Sequence, residues 1–263
     1  MQWSHEEATA GPGLTPMGED APVTYCISMR VDGGLVFLSD TRTNAGVDNV
    51  STYRKLHVFR PGPDRLFVIQ SAGSLATTQQ VLDRIEQDLA AAEPAGLATV
   101  GHLFEASLYV GALSVEVVDQ HRGALSQIGA DATATFLVGG QVGDEAPDIH
   151  LVYPQGNYIR ASDELPYLQI GEAKYGKLML DLAVYAGAGM ADAAKMAVSS
   201  MISTARANLS VGPPYDLALY RAGRFELEET RIEPDSELLA DMASTWISHL
   251  VEGMRALPDV AGA

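Results

Sequence analysis

Cysteine is nearly absent from this sequence of 263 residues, in which Cys26 is the single example. One thiol forms no internal disulfide and no multi-cysteine metal site, so the composition predicts a reducing compartment, which we take to be the cytoplasm. The 6 histidines show neither an HExxH motif nor paired spacing. We therefore expect no metal ion. Cys26 itself alternates with its neighbours on a predicted core strand and is expected to be an inert buried side chain.

Basic side chains are also scarce, with 17 Lys and Arg residues against 34 Asp and Glu residues. The formal net charge is therefore −17. That charge disfavours nucleic acid and anionic membrane surfaces as partners. No stretch of about 18 apolar residues is present, so we expect no membrane span. The glycines at 187–189 follow no predicted strand and lack a GKS or GKT ending. We therefore expect neither a nucleotide site nor another cofactor.

Residues 1–22 are polar, rich in Gly, Pro, Glu and Ala, and without periodicity. We interpret them as a flexible leader, a propeptide or the product of a misassigned start. Residues 23–263 are then expected to form one domain, since this length suits a single large core. Val23 stands directly before the first predicted strand.

The hydrophobic pattern of the domain changes period several times along the chain. Alternation predicts two early strand pairs, later strands and a final pair, whereas spacing of three and four residues predicts helices between them. The predicted helices cover residues 75–91, 100–118, 171–186, 191–208 and 236–255. Segregated strands and helices argue against a doubly wound parallel sheet. They predict an α+β fold, a four-layer αββα sandwich with two antiparallel sheets between helix pairs.

The first predicted strand begins at a residue with useful chemistry, Thr24. If everything before it is removed, its free α-amine lies beside its own hydroxyl and can act as the base for that nucleophile. Asp40 ends the second strand and Lys55 opens the third, so strands paired in this order bring both beside Thr24. A charged lysine there lowers the proton affinity of the amine, and the aspartate orients the lysine. Each residue alone suits an ordinary structural role, and their joint spacing carries the interpretation.

The turn QSAGS, between a strand and a helix, contains Gly73. Glycine allows close approach of a ligand to the backbone, and a helix N-terminus favours negative charge. We therefore predict that the backbone N–H at Gly73 binds the oxyanion of an acyl-transfer reaction.

These segments together resemble a known family. TYCISMRVDGGLVFLSDTRTNAG, STYRKLHVF and QSAGS resemble proteasome β subunits and their bacterial relative HslV, and most closely the bacterial branch called Anbu. LVGGQ, LVYPQGN, QIGEAKYGK and NLSVGPPYDL extend the resemblance to the closing helix. It implies the N-terminal nucleophile hydrolase fold, a threonine peptidase that works through an acyl-enzyme, and self-association into a ring or an open spiral.

The resemblance also implies roles for individual residues. The catalytic residues of the family fall on Thr24, Asp40 and Lys55, and its oxyanion glycine falls on Gly73. Arg42 and Thr43 fall where the family binds substrate, and are expected to line or brace the cleft. Glu172 and Ser210 are the nearest positions to the polar residues that support the nucleophile.

Several alternatives stay open at this point. Precursors that cut themselves usually have glycine before the threonine, and this chain has Val23, which could also be a misread start codon. The substrate is a peptide, or else a small amide or isopeptide such as a γ-glutamyl bond, because this fold serves many amides. A catalytically silent assembly subunit is the third interpretation. Any use of ATP is assigned to a separate partner.

Overall fold

A computed structural model describes residues 24–44, 50–91, 93, 95–128 and 131–260. The expected leader and Val23 lie outside these ranges. Within them, no helix combines the length and the apolar character needed to cross a membrane. The same residues contain no group of three or more His, Cys, Asp or Glu side chains arranged to hold a metal ion.

The first antiparallel sheet contains five strands in the order β10-β1-β2-β11-β12. These strands are β1 (Tyr25–Val31), β2 (Gly34–Asp40), β10 (Tyr167–Gly171), β11 (Tyr215–Arg221) and β12 (Leu227–Ile232). The strand that follows Thr24 therefore has a neighbour on each side. Its register pairs Tyr25 with Gly171 in β10 and Cys26 with Ser39 in β2.

The second antiparallel sheet runs in the order β5-β6-β7-β8-β9. Its strands are β5 (Leu56–Gly62), β6 (Arg65–Gly73), β7 (Ala134–Val142), β8 (Asp148–Val152) and β9 (Tyr158–Arg160). A separate two-stranded ribbon is formed by β3 (Arg42–Asn44) and β4 (Val50–Thr52). Along the chain, the ribbon therefore lies between the end of β2 in the first sheet and the start of β5 in the second.

Helices cover the outer faces of both sheets. They are α1 (Leu75–Ala91), α2 (Leu103–Ile128), α3 (Ala173–Ala183), α4 (Met190–Ala207) and α5 (Glu237–Arg255). α5 begins with an N-cap, because the Ser236 hydroxyl accepts a hydrogen bond from the Leu239 N–H. α4 ends at Ala207, and the backbone of the next residue, Asn208, is extended.

Three apolar clusters fill the spaces between these layers. Ile27, Met29 and their neighbours on the first sheet pack against α3, α4 and α5. Phe37 and Leu66 belong to a second cluster that lies between the two sheets. Phe67 and the buried side chains of α1 and α2 form the third. The αββα sandwich is thereby confirmed, with a third helix, α5, added to one outer layer.

Several boundaries differ from the sequence-based expectations. The strand β10 was not predicted, since it has only five residues and a helix follows it almost at once. The two short strands of the ribbon, β3 and β4, were not predicted either. α2 continues to Ile128, well beyond the predicted end at residue 118. The helix predicted over 171–186 is shorter at both ends and covers Ala173–Ala183.

The close packing of the two sheets gives a first testable prediction. A Cβ atom at Gly139 would lie 2.5 Å from Cε1 of Phe37. We expect Gly139→Ala to lower the free energy of unfolding by about 1–3 kcal/mol, because overpacked cores must shift. Chemical denaturation measures the change. Gly253→Ala on α5, where nothing lies within 4 Å, is the control and should not destabilise. Equal stability of both variants would contradict the close contact.

Candidate active site

Thr24 is the first residue that the structure describes and is 5% exposed, immediately before β1. Its carbonyl oxygen accepts a hydrogen bond of 2.7 Å from the Glu172 N–H. Gly171, at the end of β10, has φ +83°, and a Cβ atom there would lie 1.8 Å from the Thr24 oxygen. Glycine is required here on both counts. The end of β10 thus fixes the backbone of Thr24 by direct contact.

Asp40 and Lys55 form a buried ion pair beside Thr24. The Lys55 Nζ atom donates to Asp40 Oδ1 at 2.7 Å, and the exposed fractions of the two side chains are 6% and 0%. The Tyr25 N–H donates to the same oxygen at 3.1 Å. Since both donors share one acceptor atom, the Lys55 ammonium lies within two hydrogen-bond lengths of the peptide that joins Thr24 to Tyr25.

The groups around Asp40 shift the pKa of its carboxyl group in opposite directions. Burial raises the pKa of the carboxyl group, whereas the Lys55 ammonium and the N–H groups of Tyr25 and Gly212 act to lower this pKa. The Gly212 N–H lies 3.4 Å from Oδ2. Lys55 has a second acceptor, the Arg42 carbonyl oxygen at 2.6 Å. Two acceptors orient the ammonium, and a cation in this position lowers the proton affinity of an amine nearby.

Gly73 ends β6 with φ +105°, and a Cβ atom there would lie 2.5 Å from the Thr133 carbonyl oxygen. Two residues earlier, the Ser71 N–H donates to the Lys55 carbonyl oxygen at 3.2 Å. Alternate N–H groups of a strand point to the same side. The Gly73 N–H therefore faces the edge of β6 on which Lys55 lies. α1 begins at Leu75, so this N–H also lies just before a helix N-terminus.

The Arg42 side chain contacts the segment 209–212. Its Nη1 atom donates to the Leu209 carbonyl oxygen at 2.7 Å. A Cβ atom at Gly212 would lie 2.3 Å from Cζ of Arg42, so the guanidinium packs directly on this glycine. Thr43 is buried on β3, opposite Ser51. Of the two interpretations offered for Arg42, lining or bracing, these contacts support bracing.

Glu172 and Ser210 are joined by a residue that was not predicted, Asn208. Its Nδ2 atom donates to Glu172 Oε2 at 3.0 Å. Its Oδ1 atom accepts from the Ser210 N–H at 2.9 Å. Asn208 follows α4 directly, and in the sequence it indicated only a helix end. The segment 208–212 therefore contacts Glu172, Arg42 and Asp40 and acts as a clasp for the site.

Cys26 is fully buried between the sheets, and its Sγ atom lies 3.8 Å from the Ser71 carbonyl oxygen. Burial raises the pKa of this thiol well above its usual range. The thiolate is the nucleophilic form of cysteine, so a thiol held neutral is a poor nucleophile. The predicted burial of Cys26 is confirmed.

No protein-family model and no curated protein matches the chain. Solved structures do. An Anbu protein (ancestral β-subunit) from Yersinia bercovieri is 38% identical over 91% of this chain and 100% of its own, with a TM-score of 0.85. The helical assembly of the Anbu complex from Pseudomonas aeruginosa is 38% identical over 91% and 99%, with a TM-score of 0.85. The Gly-1 mutant of Anbu from Hyphomicrobium sp. strain MC1 is 37% identical over 90% and 99%, with a TM-score of 0.83.

The buried ion pair gives a second prediction. We expect Asp40→Asn and Lys55→Met each to lower the free energy of unfolding by about 3–5 kcal/mol, because each leaves its partner buried without a counter-charge. The double variant should lose less than the sum of the two, and denaturant unfolding of all four proteins measures this coupling. The exposed pair Asp192 and Lys195 is the control, for which about 0–1 kcal/mol is expected. Additive losses at residues 40 and 55 would contradict the pairing.

The burial of Cys26 gives a third testable prediction. We expect iodoacetamide to leave the native protein unmodified and to alkylate Cys26 fully in denaturant, since neither access nor thiolate is available in the fold. Mass spectrometry counts the adducts. Rapid alkylation of the native protein at neutral pH would show that the thiol is accessible and ionised.

Proposed function

This chain belongs to the Anbu family of proteasome-like ancestral β-subunits, and from that membership we propose that it is an N-terminal-threonine hydrolase with Thr24 as its nucleophile. The observation that carries the proposal is the hydrogen bonding of Asp40 Oδ1, which accepts from both the Lys55 Nζ atom and the Tyr25 N–H. This oxygen holds a buried cation next to the threonine, and buried charges in such positions are enriched at functional sites.

The proposed reaction requires a free α-amine on Thr24. The amine takes the proton of the Thr24 hydroxyl, and Oγ attacks the carbonyl carbon of an amide bond. The carbonyl oxygen becomes an oxyanion and accepts a hydrogen bond from the Gly73 N–H. The protonated amine then gives its proton to the leaving nitrogen, so the C–N bond breaks and a threonyl ester remains. Water, deprotonated by the same amine, hydrolyses the ester and restores Thr24.

Lys55 and Asp40 have electrostatic roles in this mechanism. The ammonium of Lys55 favours the neutral form of the α-amine, which is the form that can act as a base. Asp40 keeps the ammonium in place. Arg42, Thr43, Glu172 and Ser210 contribute by forming or supporting the cleft. We assign the substrate as a peptide bond and the compartment as the cytoplasm.

We also propose that the chain self-associates, as the Pseudomonas aeruginosa relative does in its helical assembly. Supporting this, α3 exposes Tyr175, Leu178 and Leu182 on its surface, and Leu209 lies exposed on the clasp. The three α3 residues lie on one face of the helix by their spacing, and exposed apolar faces of this kind are often covered in an assembly. Assembly into a ring or an open spiral would cover this apolar surface. We assign delivery of the substrate to a separate ATP-dependent protein.

The proposal is tested on a chain that begins with Met followed directly by Thr24, so that removal of Met frees the amine. We expect a peptide epoxyketone to add once, at Thr24, and Thr24→Ala to abolish both the adduct and peptide hydrolysis, by at least about a thousandfold. Intact mass, N-terminal sequencing and peptide mapping identify the adduct. Thr230→Ala, at an exposed threonine on β12, is the matched control and should keep full activity.

Two results would redirect the interpretation. A free Thr24 that forms no adduct and turns over no amide would favour the catalytically silent assembly subunit. Hydrolysis of small amides or isopeptides, with denatured proteins left intact, would keep the mechanism and replace the peptide substrate by a narrower one.

A further inference from the structure

Tyr25, the residue that follows the proposed nucleophile, has a side chain that the mechanism does not use. It is fully buried and belongs to the apolar cluster between the first sheet and the helices α3 and α4. Its hydroxyl group nevertheless lies among polar atoms. It donates to Gln169 Oε1 at 3.0 Å and lies 2.8 Å from Oγ of Ser200. A buried hydroxyl group with two hydrogen-bond partners holds both of them in place.

The direction of these hydrogen bonds follows from the protons that are available. Gln169 Nε2 lies 3.5 Å from the Ala173 carbonyl oxygen, which only accepts, so the amide group presents its oxygen to Tyr25. The single hydroxyl proton of Tyr25 is thus given to Gln169. Ser200 then donates to Tyr25 rather than to the Gly176 carbonyl oxygen, which is more distant at 3.2 Å. Burial raises the pKa of the Tyr25 hydroxyl group, so its proton stays in place at neutral pH.

The first turn of α3 approaches this hydroxyl group closely because it contains a glycine, Gly176. A Cβ atom at Gly176 would lie 2.2 Å from the Tyr25 hydroxyl oxygen and 2.3 Å from Ser200 Oγ. A larger residue at this position would displace both hydroxyl groups. The start of α3 therefore packs directly on the hydrogen bonds of Tyr25.

The contacts form a closed loop that begins and ends at the peptide between Thr24 and Tyr25. The Glu172 N–H donates to the Thr24 carbonyl oxygen at 2.7 Å. The carbonyl oxygen of the next residue, Ala173, accepts from Gln169, whose side-chain oxygen accepts from Tyr25. Two consecutive residues of the chain thus hold the turn from β10 into α3, one through its carbonyl oxygen and the other through its side chain.

From this closed loop we propose that Tyr25 is a positioning residue, whose hydroxyl group holds the turn at 171–173 and thereby orients Thr24 for attack. This role rests on the hydrolase function proposed above. In an N-terminal nucleophile the base and the hydroxyl group belong to one residue, so the backbone of that residue places both. A shift of the Thr24 backbone therefore moves the α-amine and Oγ together, and a misplacement of about 1 Å can lower a rate by about a hundredfold.

The test is Tyr25→Phe in the chain with a free Thr24, since phenylalanine keeps the buried ring and removes only the hydroxyl group. We expect kcat for a fluorogenic peptide, and the rate of epoxyketone addition at Thr24, to fall by roughly tenfold to a hundredfold. KM should stay within about twofold, because a fully buried side chain makes no contact with substrate. Gln169→Met, which removes the acceptor, should have a similar effect, and the double variant should lose little more than either single variant.

Tyr220→Phe is the matched control. Tyr220 is also a fully buried tyrosine of the first sheet, and its hydroxyl group donates to Gln141 Oε1 at 2.6 Å. It pairs with Leu35, at the end of β2 opposite to Asp40. We expect this variant to shift the denaturation midpoint by an amount similar to that of Tyr25→Phe and to keep the wild-type kcat. A loss of stability is thereby distinguished from a loss of positioning.

Hydrogen exchange at the Glu172 amide gives a second readout, which does not depend on turnover. Because this N–H is the one bonded to the Thr24 carbonyl oxygen, we expect Tyr25→Phe to increase its exchange rate by about tenfold or more, measured by NMR. Tyr220→Phe should leave this rate unchanged.

The epoxyketone reaction at Thr24 separates the two proposals. Labelling at Thr24 with a wild-type kcat in Tyr25→Phe would overturn the positioning role and leave the hydrolase intact. So would a fall in kcat without faster exchange at Glu172, because the loop through the turn would then not be the cause. Absence of labelling and of any cleavage in the wild-type chain would overturn the hydrolase, and the role of Tyr25 with it.

Discussion

The buried ion pair between Asp40 and Lys55 is the interaction on which the rest of the site depends. Removing two charges from water costs several kcal/mol for each ion, and only close geometry with further hydrogen bonds offsets that cost. Here the supporting bonds come from Tyr25, Arg42 and Gly212. Asp40 belongs to the first sheet, and Lys55 stands directly before the edge strand of the second. The pair therefore exists only where the two sheets meet.

Short segments that are far apart in sequence complete the site where the two sheets meet. The clasp 208–212 supplies the Gly212 N–H to Asp40 and the Leu209 carbonyl to Arg42. Asn208 connects the same segment to Glu172, whose N–H holds the Thr24 carbonyl. A disturbance of the clasp would thus reach Thr24 by two routes, one through the charge pair and one through the end of β10. Rigid support of this kind is what a preorganised electrostatic site requires.

Much of this arrangement could be predicted from the sequence, for identifiable reasons. The hairpin that follows Thr24 shows clear alternation and a glycine turn, so it was predicted as the first of the early strand pairs. The spacing of Asp40 and Lys55 from Thr24, together with the family resemblance, predicted that the three lie together, and in the structure Asp40 pairs with Lys55 and accepts from the Tyr25 N–H. Their chemical roles stay predictions until tested.

The remaining features depend on contacts between distant segments. β10 was missed because a short strand beside β1 has no periodic signal of its own, and α2 ran past its predicted end into residues with a weaker apolar pattern. Asn208 indicated only the end of a helix, because its partner Glu172 is distant in sequence. The contact of Gly212 with Asp40 was not predicted for the same reason. The ion pair of Arg54 with Asp216 likewise connects the segment before β5 to the first sheet, and no local pattern indicates it.

The position of β1 between β10 and β2 also sets the order of events during synthesis. β1 leaves the ribosome before the other strands, yet its neighbour β10 and the Glu172 N–H emerge more than halfway through translation, and the clasp later still. Contacts of such long sequence separation close late in folding. A growing chain therefore lacks the β10 and Glu172 contacts to Thr24, and the clasp contact to Asp40, until most of the domain has been made.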